Sequence, residues 1–180
     1  YPKLSTFIHS ALQKFSILCI LAFIAVFISC NGAQKPDPLS YHDSLMATQA
    51  RAAYILEQIN QTLAQHPEQY RADQWDANLA AKLEYVKIMG NCNNDSSLRL
   101  AVELCLKNYQ QIVRQKAPEI AKLLEKPTER FNESDEARLG FLNDEVKVLA
   151  EKGFEQVQLA GKVFRERNDL NSGQNVPLRP

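Results

Sequence analysis

Few residue types in this 180-residue chain are placed for chemistry. Beyond residue 40 the nucleophiles and metal-type ligands reduce to Cys92, Cys105, His42, His66 and scattered carboxylates. Neither histidine has a His, Cys, Asp or Glu three or four residues away, the spacing at which one helix face presents two metal ligands, so both are expected on the solvated surface. The acidic run Asn132-Glu133-Ser134-Asp135-Glu136 lacks the alternating oxygen ligands and central glycine of a calcium loop and reads instead as a helix start. No glycine-rich phosphate loop, Gly-x-Ser-x-Gly elbow or Glu-x-x-His pair occurs. The expectation is therefore no catalytic residue, no metal and no cofactor. Cys92 and Cys105 are a candidate disulfide, since an even count invites pairing. Helix geometry argues against it. Cys105 sits some nine residues into a helical segment that starts after Cys92, about 13 Å along its axis, whereas a bridge needs Cα atoms within about 7 Å.

Another cysteine, Cys30, stands in a different setting. Lys3, His9 and Lys14 precede the uncharged apolar run Ile17–Ile28, and Ser29-Cys30 follow it where the chain turns polar. Twelve helical residues reach about 18 Å, short of the roughly 30 Å hydrocarbon core, so the run reads as the h-region of a signal peptide in preference to a permanent transmembrane anchor. Phe27-Ile28-Ser29-Cys30 resembles the lipobox of bacterial lipoproteins, with Phe27 where leucine is usual and Ile28 where alanine or serine is more frequent. The resemblance covers about the first thirty residues. It implies cleavage between Ser29 and Cys30, lipidation of the Cys30 thiol, and anchorage in a bacterial cell envelope, because two or three acyl chains hold a protein on a bilayer stably where one does not. It also implies a compartment that permits disulfides. Asn31 in place of aspartate favours the outer membrane if the host has one. The alternative is an ordinary secretory signal cut after Gly32, which would release a secreted protein.

After Cys30, "NGAQKPDPLS" reads as a short extended tether, giving expected boundaries of 1–29 for the signal, 30–39 for the lipidated tether, 40–168 for a helical domain and 169–180 for a disordered tail. Within 40–168 apolar residues recur at helical spacing in four segments. The first carries Leu45, Thr48, Ala52, Ile55, Ile59 and Leu63, capped by Ser40 or Asp43 and ended before Pro67; the second carries Trp75, Leu79, Leu83, Val86 and Met89 up to Gly90. The third carries Leu98, Val102, Cys105, Tyr109 and Ile112 to about Lys116, where Pro118 kinks it or starts a new helix. The fourth runs from the acidic turn at Glu133 through Leu139, Leu142, Val146, Leu149, Gly153, Val157, Ala160 and Phe164 to about Asn168. Four such segments joined by short connections predict an all-α fold, an antiparallel up-down-up-down four-helix bundle. Trp75 and Tyr109 are expected in the core, and Gly153 and Ala160 allow a neighbouring helix to come close.

Equal numbers of cations and anions, 21 each, give no field that would attract a polyanion, so nucleic acid is not an expected partner. The sequence then supports a lipid-anchored envelope protein acting as a structural or protein-interaction module, its protein partner unidentified and its membrane contact made through lipid. The alternative is a bundle that holds a small apolar ligand between its helices, for which a cavity above about 300 Å³ is the required observation.

Overall fold

The computed structural model describes residues 37–170. The expected signal peptide, the cleavage point at Ser29 and Cys30, and residues 171–180 of the expected tail lie outside the described residues. Within them the fold is all-α, and the nearest approach to sheet is an isolated bridge between Cys92 and Asp95. No helix among the described residues is long and apolar enough to cross a membrane.

Helix α1 spans Pro38–Gln65, two residues earlier than the Ser40 start read from the sequence. Asp37 is the cap, in place of Ser40 or Asp43: its carboxylate accepts from the Ser40 amide at 2.9 Å, and Pro38 sits in the first turn, where a missing N–H costs nothing. The expected tether therefore ends before Pro38. Helix α2 spans Ala72–Ile88 and stops ahead of Gly90, whose φ of 66° lies in the left-handed region that glycine adopts freely. Pro118 stands in the first turn of a new helix, one of the two outcomes read from the sequence, and the chain enters that helix without leaving helical geometry. Helix α3 (Ser97–Gln111) passes through one π segment (Ile112–Lys116) into α4 (Ala117–Leu124). Helix α5 spans Glu133–Arg167, opened by a capping box in which Asn132 and Asp135 bond each other's amides. Beyond it Leu170 donates its amide to Arg165 and packs partly on the core, so the expected tail begins with an ordered turn.

The core follows the apolar stripes. Leu45, Ala52, Ile59, Leu79, Val86, Leu98, Val102, Cys105, Leu142, Val157 and Phe164 are all essentially removed from water, the larger aliphatic and aromatic side chains among them each contributing about 1.5–3 kcal/mol. Pairs of contacts give the relative directions of neighbours. Leu98 lies beside Gly161 and Cys105 beside Gly153, so α3 and α5 run antiparallel. Tyr41 at the start of α1 donates to the Gly90 carbonyl just past the end of α2, and packs at a tilt against Phe164 near the end of α5 with centroids 5.5 Å apart. The close approach of α3 and α5 has a local cause. A Cβ at Gly153 would stand 3.2 Å from the Cys105 sulfur and 3.3 Å from its Cα, tighter than ordinary contact, so α3 would have to give way by a few tenths of an ångström.

Candidate functional site

The π segment shapes an apolar space between the helices. Pro118 has no amide, so the carbonyl of Arg114 four residues back cannot close an α-helical turn. The backbone widens instead: Ala117 donates to Ile112, five residues back. In that register the carbonyl of Val113 faces position 118 and again finds no N–H. The Tyr70 hydroxyl, from the loop before α2, donates to it at 2.7 Å. A widened turn also advances the helical phase, and after it Ala117, Ile120 and Leu124 of α4 face the space between α1 and α5.

That space is a groove of about 780 Å³. One wall is α1, with Ala53, Leu56, Ile59 and Leu63; the other is α5, with Leu139, Val146, Ala150 and Phe154; the floor is Tyr109, Ile112 and the α4 residues. Helices α1 and α5 touch near one end, through Tyr41 and His42 against Phe164, and further along they leave the gap between them unfilled. Leu56 beside the α1 stripe, and Leu139 and Val146 on the α5 stripe, consequently stay half-buried. Phe154 is 46% exposed at the edge. Polar side chains are confined to the rim, where Glu57 and Asn60 on α1 face Asn143, Lys147 and Glu151 on α5. At the floor the Tyr109 hydroxyl hydrogen-bonds Cys105, and burial followed by that neighbour pushes its pKa up, so it stays a neutral phenol. The groove holds no nucleophile and base in contact. Its chemistry is burial of apolar surface beside a polar edge.

The residues singled out in the sequence fall elsewhere. Cys92 and Cys105 are both thiols and not a disulfide. Cys92 sits in the loop before α3 and Cys105 two turns into it, and burial first of all raises both thiol pKa values, which makes them poor nucleophiles. His42, expected on the surface, is buried: the early start of α1 seats its ring against Phe164 and Gly161, with Nδ1 2.9 Å from the Asp43 carboxylate. His66 is exposed beside Glu68. Among the described residues no three His, Cys, Asp or Glu side chains gather as metal ligands. Ala52 and Gly153 pack tightly, and the groove lies on the neighbouring faces of their helices. Trp75 is half-buried where the core was expected. The sequence signal for the groove was surplus apolar width: Leu56 and Ala53 beside the α1 stripe, and Ala150 and Phe154 beside that of α5.

No protein-family model, no curated protein and no solved structure matches this chain.

Proposed function

We propose that this protein is a lipid-anchored component of a bacterial envelope whose helical domain, an up-down-up-down bundle, holds a small apolar ligand in the α1–α5 groove. The observation that carries the reading is the groove itself. Its volume falls within the roughly 300–1,000 Å³ of small-molecule sites, and the residues between its two polar rims are apolar, as suits a ligand with a largely apolar body and a small polar part. A long acyl chain has that form. The rim charges, Glu57, Lys147 and Glu151, are mixed and favour a head group that is not strongly anionic.

The test is titration of the full chain with a fluorescent long-chain acyl amide, displaced by unlabelled monoacylglycerol. Saturable, displaceable binding supports the ligand role; absence of binding at micromolar ligand overturns it. The anchor is tested separately by labelling cells with radioactive palmitate. Label on the wild type and none on Cys30→Ala is expected, and an unlabelled wild type returns the chain to the secreted alternative.

A second reading, contact with an envelope protein partner, draws on Phe141, Val148 and Leu159. These are exposed on α5 at spacings of seven and eleven residues, which puts them on one face. A photo-crosslinker at Val148 that captures one stoichiometric partner would favour this reading.

A further inference from the structure

On the other flank of α1 from the groove, a shallow pocket of about 560 Å³ lies between α1 and α2. Arg51, Tyr54 and Gln58 line it from α1 and Trp75, Asn78 and Lys82 from α2, each trio spaced to share one helix face. Its composition departs from the rest of the chain. Cations and anions balance over the whole sequence, 21 against 21, yet this pocket holds two cations, two amides and two aromatic rings and no carboxylate. Neither Arg51 nor Lys82 forms an ion pair among the described residues. Arg51 also borders a separate depression containing Asp37 and Asp43, which leaves Lys82 as the more decisive charge. Trp75 rests partly on the core and is thereby held in place, while Tyr54 is 64% exposed.

We propose that this pocket binds an acidic saccharide. Tyr54 and Trp75 offer flat apolar faces to the C–H face of a pyranose ring. Gln58 and Asn78 each donate once along their own helix, to Gln61 and to the Gln74 carbonyl, and each keeps a second N–H and an amide oxygen, the donor and acceptor pairing that sugar hydroxyls require. Lys82 and Arg51 meet the carboxylate, Arg51 with a fork suited to both its oxygens. The site is independent of the groove and of any ligand there.

Trp75 is the single tryptophan of the chain, so intrinsic tryptophan emission reports this pocket directly. The full chain is titrated with oligogalacturonate as the acidic probe, a neutral malto-oligosaccharide as the charge control and adenosine monophosphate as the anionic aromatic control. A saturable emission change with the acidic sugar is expected, weakened by salt and by at least about tenfold in Lys82→Gln or Tyr54→Ala, with helical circular dichroism unchanged. Arg51→Gln serves as the further variant if either of these fails to fold. No emission change with oligogalacturonate, an equal response to the neutral sugar, or tighter binding of the nucleotide would each overturn the proposal.

Discussion

The Tyr70 hydroxyl donates a 2.7 Å hydrogen bond to the carbonyl of Val113, forty-three residues away and inside the π segment. Pro118 creates the need for it. By withholding an amide the proline leaves a buried acceptor in the helix, and a side chain from another part of the chain supplies the donor. The bond thus ties the loop before α2 to the turn that aims α4 into the groove.

Tyr70→Phe is expected to lower stability by about 1–3 kcal/mol, because it keeps the ring and strands the buried carbonyl. Urea denaturation followed by circular dichroism measures it. An unchanged midpoint would mean that the carbonyl needs no partner.

Alkaline pH acts through the same residue. Burial raises the Tyr70 pKa first, with Asp76 adding to it, and burial likewise raises those of Tyr109 and Tyr41. The folded form keeps these protons above about pH 10, where unfolded tyrosine loses them. Their contribution is therefore complete below about pH 10 and is lost as pH rises further. Ultraviolet titration should show a late group of tyrosines ionising together with loss of helical signal.

Two glycines of α5 should respond in opposite directions. Gly153→Ala puts a Cβ against the Sγ and Cα of Cys105 and is expected to cost about 1–3 kcal/mol by overpacking. Gly140→Ala meets nothing within 4 Å on an exposed helix face and should stabilise by about 0.5–1 kcal/mol. Paired denaturation curves test both.

Filling the groove should separate binding from folding. Ala150→Trp places a large ring between the walls, covering apolar surface that now meets solvent. Acyl-amide affinity is expected to fall at least about tenfold while the melting temperature holds or rises. Retained affinity would move the ligand out of this groove.

At low pH the ordered start of α5 should weaken. The Asp135 pKa is lowered chiefly by its hydrogen bond from Lys126, against some desolvation, and by the Asn132 amide. With the folded pKa depressed, this contribution is present above about pH 4, the unfolded carboxyl's range, and is lost as pH falls through the folded value. Asp135→Asn should flatten the acid limb of a stability–pH profile.

The amino-acid sequence by itself determined the helices and most of their buried faces. Leu45, Ala52 and Ile59, then Leu98, Val102 and Cys105, then Leu142, Val157 and Phe164 can be read from spacing, because a 3.6-residue period is a local property that needs no partner. It also carried the acidic start of the last helix at Glu133 and the small residue at Gly153. Tertiary structure alone decided the rest. The burial of His42 depends on where α5 ends against α1. Continuation through Pro118 depends on a tyrosine at position 70. The groove depends on how far α1 and α5 stand apart beyond Ala52, and that separation is set by the summed packing of α3 and α4 beneath them. A periodicity marks which side of a helix is apolar; whether a neighbour covers that side is fixed only when all the axes are placed together.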